Sequence, residues 1–215
     1  YAIYGCGGFG REVKPILHRI LTQQGAPFKI VWVDDYAPII GEIVNGCPVI
    51  SYEELKAEKH VAVVVSYGDP GMRREYCEKL RQDNFDFFSI ISDTCMVQDE
   101  VVIGEGCIFC DFTIIDSNTV IGDFVHLNTQ AAVYHDCIVD DFVTIAPSVG
   151  VMGRVHIREA AYIGAGAMIK QGTTAKHFSL GKESIVGMGA IVLKDVADGV
   201  TVVGNPAAPL GGNRS

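Results

Sequence analysis

The sequence predicts a two-part fold, in which an N-terminal α/β unit is followed by a parallel β-solenoid. Two observations carry this prediction: a glycine-rich turn between a strand and a helix at the start of the chain, and a six-residue repeat that fills its second half. A chain of 215 residues, 48% of them apolar, is long enough to form two small packed domains.

The start of the chain, "YAIYGCGGFGREVKPILHRIL", is typical of a buried strand, a tight turn and an amphipathic helix. Its Gly5, Gly7 and Gly10 fit the motif G-x-G-x-x-G, in which glycine lets backbone N–H groups at a helix N-terminus approach a phosphate. A second strand, "KIVWVDD", ends in Asp34 and Asp35, where a dinucleotide-binding fold places the acid that binds ribose. With a third strand, "HVAVVVSYG", and the helix after it, we predict three strands and two helices. These are too few for a full dinucleotide site, so we expect a mononucleotide-binding unit rather than an NAD-dependent dehydrogenase.

A large apolar side chain recurs at every sixth position from residue 97, and a column of small or β-branched residues lies two places before it. A period of six excludes an α-helix, whose apolar face recurs at spacings of three and four. It indicates short strands joined by tight turns, with successive coils stacked into a solenoid, and it disfavours an ordinary β-sandwich. The large column comprises Val97, Ile103, Phe109, Ile115, Ile121, Leu127, Val133, Val139, Ile145, Val151, Ile157, Ile163 and Ile169, and then Leu180, Val186 and Val192.

Charge and composition disfavour several classes of function. The net charge is −9; residues 82–150 contain twelve acids and no Lys or Arg, and residues 151–215 contain seven basic residues and four acids. No basic stripe is present, so nucleic-acid binding is disfavoured. No apolar run is long enough to span a membrane and the start is not a secretory signal, so we expect a cytoplasmic protein. Seven cysteines, with a lone C-x-x-C at Cys107 and Cys110, fit reduced core packing better than a metal site, and we expect no metal.

The repeat resembles that of the hexapeptide-repeat acyltransferases over about residues 95–205. It ends in "IVGMGAIVLKDVADGVTVVGNPAAPL", which is similar to the closing signature of that family at Gly204, Asn205, Pro206 and Ala207. The resemblance implies a left-handed parallel β-helix of triangular cross-section, in which three hexads complete one coil of eighteen residues.

A small Rossmann-like domain before the β-helix is characteristic of the bacterial sugar-nucleotide N-acetyltransferases and sialic acid O-acetyltransferases. The resemblance therefore implies a Rossmann-like domain over residues 1–92 and an all-β left-handed β-helix domain, with a short C-terminal tail, over residues 93–215. In those relatives the first domain holds the nucleotide of the sugar substrate. A solvated turn is the alternative role for the two aspartates. The implied nucleotide contacts are Gly7, Gly8 and Phe9 at the phosphates, Asp34 and Asp35 at the ribose or base, and Ser66, Tyr67, Gly68 and Arg73 in the loop that closes the site.

Six histidines are candidates for the base that acetyl transfer to an amine requires, because imidazole titrates near neutrality. Their positions in the six-residue repeat distinguish these histidines from one another. His135 lies among polar, outward-facing positions, and one coil further along the same column is Gly153, whose missing side chain leaves room for a ligand and exposes a backbone N–H. The adjacent Asp136 can fix the tautomer of the imidazole. We expect His126 and His156, which occupy turn positions, to be ordinary surface histidines.

The segment "LNTQAAVYHDC" is similar to the part of the sugar N-acetyltransferases that carries the base. The resemblance implies that His135 is the base, that Asp136 orients it, and that Gly153 offers its N–H to the thioester carbonyl. Several relatives carry a second histidine nine places after the base, where this chain has Thr144. The implied contacts of acetyl-CoA are Asn128, Thr144, Gly153, Ala165, Lys170, Lys194 and Pro206.

One break interrupts the repeat, since Ile169 and Leu180 are eleven residues apart instead of six. The five inserted residues, around "TTAKHFS", either shape a contact with coenzyme A or a subunit, or form a tolerated loop. Relatives are homotrimers with active sites between neighbouring subunits. An apolar outward face is compatible with such an assembly, and its expected members are Phe112, Phe124, Tyr134, Phe142 and Met152.

The expected function is that of an acetyl-CoA-dependent N-acetyltransferase acting on a nucleotide-linked amino sugar, a 4-amino-4,6-dideoxy sugar, in bacterial lipopolysaccharide O-antigen and surface-glycan biosynthesis. The same fold acetylating a hydroxyl group, of sialic acid or another sugar, is the first alternative. A non-catalytic β-helix that serves as a scaffold or nucleotide sensor is the second. The sequence leaves the nucleobase, the sugar and the choice between N- and O-acetylation open.

Overall fold

The structure is a computed structural model that describes residues 1–58 and 60–211. The last four residues of the expected second domain, with the basic residue Arg214, lie outside the described residues. No helix within the described ranges is long and apolar enough to cross a bilayer.

The front domain is a six-stranded sheet between two layers of helices. Its strands lie in the order β3-β4-β2-β1-β5-β6, and all neighbours are parallel except the β3–β4 hairpin. Helix α1 packs its apolar stripe on one face of the sheet, and α2 and α3 cover the other. The elements are β1 (Ala2–Tyr4), α1 (Gly8–Gln24), β2 (Val31–Val33), a 3₁₀ turn (Ala37–Ile39), β3 (Ile43–Val44), β4 (Cys47–Ile50), α2 (Tyr52–Ala57), β5 (Ala62–Val65), α3 (Pro70–Gln82) and β6 (Asp86–Phe87).

The front domain has more elements than the three strands and two helices predicted from the sequence. The additional strands β3, β4 and β6 have only two to four residues, so they show no alternation that a sequence pattern can detect. The additional helix α2 has a local signal, because Ser51 and Glu54 form a reciprocal capping box at its N-terminus. Helix α2 was therefore detectable from sequence, whereas the short strands depend on their neighbours in the sheet.

The rest of the chain forms a parallel β-helix in which every third strand belongs to the same face. Strand pairs are offset by eighteen residues, as in His126 with Thr144 and Ala132 with Gly150. The strands are β7 (Ile90–Ile91), β8 (Met96–Val97), β9 (Val102–Ile103), β10 (Ile108–Phe109), β11 (Ile114–Ile115), β12 (Val120–Ile121), β13 (His126–Leu127), β14 (Ala132–Val133), β15 (Ile138–Val139), β16 (Thr144–Ile145), β17 (Gly150–Val151), β18 (Val155–Ile157), β19 (Tyr162–Ile163), β20 (Met168–Ile169), β21 (Phe178–Leu180), β22 (Ile185–Val186), β23 (Ile191–Val192), β24 (Thr201–Val203) and β25 (Ala208–Pro209).

Three faces follow from this order. The first face contains β7, β10, β13, β16, β19, β22 and β24, with β25 added antiparallel; the second contains β8, β11, β14, β17, β20 and β23; the third contains β9, β12, β15, β18 and β21. At the break, Val155 pairs with Phe178, which is eighteen residues plus the five inserted ones. The insertion therefore leaves the register of the ladder unchanged.

The two sequence columns fill the interior of the β-helix. Every member of the large column from Phe109 onward is at most 1% exposed, and the small column is buried between them from Cys107 onward. Val97, in the first coil, is 41% exposed because it has no complete coil before it to pack against. The repeat therefore gives the core of this domain directly.

A third column sets the turns. The residue three places after the large column adopts the left-handed backbone conformation in coil after coil. Glycine, Asn and Asp tolerate this conformation, but Phe112, Phe124 and Phe142 also adopt it. The left-handed turn position was not predicted from the sequence, because these aromatic side chains obscure it.

Two of those aromatic residues lie in the interface between the front domain and the β-helix, which we call the seam. Phe124 and Phe142 stack with ring centroids 5.2 Å apart and are 0% and 8% exposed, in one apolar cluster with Cys77 and Leu80 of α3. The expectation that both belong to a free outward face was wrong, because the front domain covers them. Phe112 remains 62% exposed.

Candidate active site

His135 and Asp136 occupy the turn after β14, between the second and third faces of the β-helix. The N–H of Tyr134 donates to the carbonyl of Val151 in the next coil over 2.9 Å, which fixes the end of the strand. Asp136 then adopts the left-handed conformation, with φ 58°, and its N–H donates to the carbonyl of Ser117 in the preceding coil. The chain turns sharply here and leaves the side chain of His135 46% exposed.

The carboxylate of Asp136 determines which nitrogen of His135 is free. Nδ1 of His135 lies 2.8 Å from Oδ2 of Asp136, and this hydrogen bond, together with the cation of Arg154 at 3.0 Å from the same oxygen, lowers the pKa of Asp136. Asp136 is thus ionised at neutral pH and can only accept, so Nδ1 carries the proton in this bond. The neutral imidazole presents the lone pair of Nε2, the atom that a general base needs.

Gly153 lies directly beside the His135 ring, as the eighteen-residue spacing predicts. A Cβ atom placed on Gly153 would lie 2.5 Å from both Cε1 and Nε2 of His135. The carbonyl of Gly153 accepts from the N–H of Gly172, whereas its own N–H makes no hydrogen bond to the described residues. The free edge of the imidazole and an unused backbone donor therefore meet at one place.

The inserted segment between β20 and β21 packs on this turn. Nε2 of His177 donates to the main-chain carbonyl of Asp136 over 3.0 Å. Nζ of Lys176 forms an ion pair with Asp195 at 2.6 Å. The segment is therefore anchored at two points and borders the His135 turn, which the sequence left undecided.

A cleft of about 880 Å³ lies between the front domain and the first face of the β-helix. Gly8 and Phe9 of the glycine-rich turn form one wall, and the turn that precedes α3 forms another. Its floor is the first face and the adjoining turn, with Asn128, Thr144, Pro147, Tyr162 and Ile185. The cleft brings the expected phosphate-binding turn together with two of the expected acetyl-CoA contacts, Asn128 and Thr144.

The glycine-rich turn has the close packing that its motif requires. A Cβ atom at Gly10 would lie 2.1 Å from the carbonyl oxygen of Gly5, so only glycine fits between the helix and the strand. Gly7 and Gly8 are exposed at the N-terminus of α1, where helix N–H groups attract anions.

The two aspartates after β2 have different partners, and only Asp34 contacts the glycine-rich turn. Asp34 accepts from the N–H of Cys6 over 2.8 Å and from the N–H of Tyr36 over 2.9 Å. Asp35 accepts from the hydroxyl of Tyr4 over 2.7 Å. The structure therefore places the carboxylate of Asp34 next to the turn and that of Asp35 at the hydroxyl of Tyr4, near Lys79 of α3.

Ser66 and Arg73 are placed differently from the expectation that they contact a nucleotide. Ser66 is 4% exposed, and its hydroxyl faces the carbonyls of Tyr4 and Gly5 at 3.0 and 2.9 Å. Arg73 is fully buried in the seam, and its guanidinium donates to the carbonyls of Tyr67 and Phe142 over 2.7 and 2.6 Å. Neither side chain is free to bind a ligand in this arrangement.

The guanidinium of Arg73 ties three elements together. It also donates to Oγ1 of Thr144 over 3.0 Å and contacts Nδ1 of His126 at 3.1 Å. The hydroxyl of Thr144 in turn donates to the carbonyl of Gly68 over 2.8 Å. His126 is therefore not the surface histidine that the sequence predicted; it is 0% exposed, and burial lowers its pKa well below the usual value.

The expected acetyl-CoA contacts do not converge within one chain. Asn128 and Ala165 lie on the turns between the first and second faces, whereas Gly153, Lys170 and Lys194 lie on the turns between the second and third. Pro206 is exposed beside β24, next to the first of these edges. One ligand reaches both groups only by crossing the second face or by binding between two chains.

Three further charged residues were not predicted from the sequence: Arg154, Arg74 and Glu159. Arg154 lies one coil after Asp136, so the eighteen-residue spacing was a signal that could have found it. Arg74 pairs with Glu159 at 2.8 Å at the edge of the cleft, and only the docking of the front domain brings these two together. No group of three or more of the described His, Cys, Asp and Glu residues is placed to hold a metal ion.

Known proteins match both halves of this arrangement. The family described as the PglD N-terminal domain matches residues 2–80. The GDP-perosamine N-acetyltransferase of Escherichia coli O157:H7 is 39% identical over 212 residues, which cover 96% of this chain and 94% of that protein.

Solved structures also match nearly the whole chain. WeeI from Acinetobacter baumannii AYE is 41% identical, with a TM-score of 0.92 over 97% of this chain and 98% of that one. The acetyltransferase domain of PglB from Neisseria gonorrhoeae FA1090, in complex with acetyl coenzyme A, is 32% identical, with a TM-score of 0.87 and the same coverage.

The comparisons confirm the predicted fold class of an α/β Rossmann-like domain followed by a left-handed parallel β-helix. The chain belongs to the hexapeptide-repeat sugar N-acetyltransferases and is an acetyltransferase.

Proposed function

We propose that this protein transfers the acetyl group of acetyl-CoA to the amine of a nucleotide-linked amino sugar. The relative that matches over almost its whole length is named for GDP-perosamine, and the PglB domain binds acetyl coenzyme A. A 4-amino-4,6-dideoxy sugar is the proposed acceptor. A role in O-antigen and surface-glycan biosynthesis and a cytoplasmic location belong to the same proposal, and seven free cysteine thiols fit a reducing compartment.

The observation that carries the proposal is the arrangement of His135, Asp136 and Gly153. An amine that attacks a thioester must lose a proton, and negative charge develops on the carbonyl oxygen as the C–N bond forms. Nε2 of His135 accepts that proton, since Nδ1 is occupied by Asp136. The N–H of Gly153 donates to the carbonyl oxygen. The C–S bond then breaks, and the coenzyme A thiolate takes up the proton.

The cleft is the proposed site of the nucleotide. Gly7, Gly8 and Phe9 face the phosphates, because α1 begins there with unpaired N–H groups. Asp34 lies beside the same turn, and Asp35 follows it in the chain; both are proposed to contact the ribose or base. Arg73 and Ser66 are left out of the binding set, since both are buried and hydrogen-bonded within the protein.

A homotrimer with shared active sites accounts for the separated acetyl-CoA contacts. Asn128 and Ala165 of one subunit would face Gly153, Lys170 and Lys194 of its neighbour, with Pro206 near the same groove. Thr144 is left out of this set, since it is 1% exposed and hydrogen-bonded to Arg73 and Gly68. Pantetheine between two β-helices would reach both sets without crossing a face. The exposed Phe112 and Tyr134 supply apolar surface for such an interface.

Replacing His135 by Ala tests the proposal. We expect turnover to fall by roughly 10²–10⁴, because general base catalysis contributes that much. His156→Ala is the matched control, since His156 also binds a carboxylate at 2.9 Å, but that carboxylate, Asp140, lies on the turn between the third and first faces. Unchanged turnover in His135→Ala would rule out this residue as the base.

An assay against a panel of candidate sugars identifies the acceptor of the acetyl group. Acetyl-CoA consumption is measured with GDP-, UDP- and dTDP-linked 4-amino sugars and with free sialic acid. We expect activity with an amino sugar; activity only with sialic acid would favour O-acetylation, for which the same base would serve. Failure to bind acetyl-CoA in calorimetry would favour a scaffold.

A further inference from the structure

The side chain of Arg154 lies next to the His135–Asp136 pair but has no part in the acetyl transfer proposed above. Its NH2 group lies 3.0 Å from Oδ2 of Asp136, the same oxygen that accepts from Nδ1 of His135 at 2.8 Å. The three side chains thus form a chain with one carboxylate oxygen at its centre.

The backbone of Arg154 is fixed on both sides. Its N–H donates to the carbonyl of His135 over 2.9 Å, and its own carbonyl accepts from the N–H of Phe178 over 2.9 Å. It directly follows Gly153, whose position borders the imidazole ring. Arg154 is therefore held between the coil that carries His135 and the strand that follows the insertion.

Asp136 needs such a partner. It lies on an exposed turn, its side chain is 33% exposed, and a short carboxylate there is free to rotate towards water. The hydrogen bond to an exposed imidazole holds it weakly by itself, since exposed pairs of this kind contribute little; a hydrogen bond from Asn118 also helps to lower its pKa. The ion pair with the guanidinium of Arg154 opposes that rotation, because the positive charge attracts the same carboxylate oxygen.

We propose that Arg154 is a positioning residue for His135, which acts by holding Oδ2 of Asp136 against Nδ1 of the imidazole. The proposal rests on the assignment of His135 as the base. Arg154 touches neither reacting group in this role. It keeps the proton of the neutral imidazole on Nδ1, so that Nε2 has its lone pair available.

The same residue types recur nearby in a different geometry. Nε2 of His156 contacts Oδ1 of Asp140 at 2.9 Å, whereas Nε of Arg158 approaches the other oxygen, Oδ2, at 3.4 Å. In this group the carboxylate contacts Nε2 of the histidine, whereas at His135 it contacts Nδ1. Arg158 is therefore a matched control, an arginine paired with a carboxylate beside a histidine but away from Gly153.

The test compares Arg154→Met, Arg154→Gln, Arg154→Lys and Arg158→Met in the full-length protein. For Arg154→Met and Arg154→Gln we expect kcat to fall roughly tenfold, the lower end of the effect of losing an orienting partner, with KM for acetyl-CoA unchanged. Arg154→Lys should recover part of the loss, and Arg158→Met should match the wild type. Nitrogen NMR of the labelled histidines should show His135 protonated on Nδ1 in the wild type and shifted towards Nε2–H in Arg154→Met.

Three results would overturn the proposal. The first is an unchanged His135 tautomer in a folded Arg154 variant, and the second is a rise in KM for acetyl-CoA without a change of tautomer, which would make Arg154 a ligand contact. The third is a wild-type His135 protonated on Nε2, which is measurable even where a variant does not fold. Because the tautomer is read without turnover, it decides the role of Arg154 even if His135→Ala shows that His135 is not the base.

Discussion

In the seam, Arg73 contacts Nδ1 of a buried histidine directly; at the turn after β14, a carboxylate lies between the histidine and its arginine. An arginine only donates, so Nδ1 of His126 accepts and its proton is on Nε2. An ionised carboxylate only accepts, so Nδ1 of His135 donates and Nε2 is free. The same pair of residue types thus gives opposite tautomers, and the presence of Asp136 makes the difference.

The surroundings separate the two regions further. His126 is fully buried, and desolvation, with the charge of Arg73, keeps it neutral. His135 is exposed beside a glycine and an unused N–H. The seam therefore holds the two domains together, whereas the turn leaves a nitrogen available for proton transfer.

Removing the seam arginine should have the largest effect. Arg73→Met leaves the buried carbonyl of Phe142 and the hydroxyl of Thr144 without a donor, and each buried group left unpaired costs about 1–3 kcal/mol. We expect the free energy of unfolding to fall by about 2–4 kcal/mol in denaturant titrations at fixed protein concentration. The control is Arg81→Met on the same helix, because Arg81 forms exposed ion pairs with Glu105 and Asp123 and its guanidinium lies 4.8 Å from the ring centroid of Phe124. Loss of these contacts should cost about 1 kcal/mol. Equal losses in both variants would contradict a special role for Arg73.

Filling the space beside His135 should affect turnover but not folding. In Gly153→Ala the new Cβ would occupy the place of the imidazole edge, and the exposed ring can turn away without disturbing the core. We expect turnover to fall roughly 100-fold, as for a misplacement of about 1 Å. In Gly150→Ala, in the same coil, the atoms nearest to the new Cβ are the flexible ends of Met168 and Met152, so this variant should retain activity. Full activity in Gly153→Ala would mean that His135 does not act in the observed orientation.

The seam histidine should give the smallest effect, visible only as a pH dependence. The pKa of His126 is lowered in the folded state, so the unfolded chain binds the proton first as the pH falls below about 6.5. Stability is therefore full above this pH and decreases below it, by up to about 1.4 kcal/mol per pH unit, until the folded-state value is reached. In His126→Asn the amide oxygen can still accept from Arg73. We expect the free energy of unfolding of this variant to change less steeply with pH between about 6.5 and 5 than that of the wild type, whereas His156→Asn should match the wild type. Identical slopes in all three proteins would show that His126 does not contribute.

The contacts of the turn were predictable because a solenoid repeats its neighbours at a fixed sequence distance. Gly153 beside His135 and the five-residue insertion follow from counting in sixes and eighteens. Arg154 beside Asp136 follows from the same count, although it was overlooked. The positive φ at Phe124 and Phe142 was hidden, since aromatic side chains are unusual at a left-handed position.

The contacts of the seam were not predictable in this way. Arg73 reaches His126 and Thr144 across 53 and 71 residues, and no spacing in the sequence relates the helix that carries it to the first face of the β-helix. The burial of Phe124 and Phe142 and the cleft with Asn128 and Thr144 arise from the same docking.

The sequence by itself determined the two-domain fold, the core of the β-helix and the pairing of His135, Asp136 and Gly153, because stacked coils turn sequence distance into spatial distance. The tertiary structure alone decided that Arg73 and His126 form a buried clamp, where the sequence predicted a nucleotide contact and a surface histidine. It also placed the inserted segment on the His135 turn. Those contacts depend on how two separately patterned domains pack, and packing between domains has no period in the sequence.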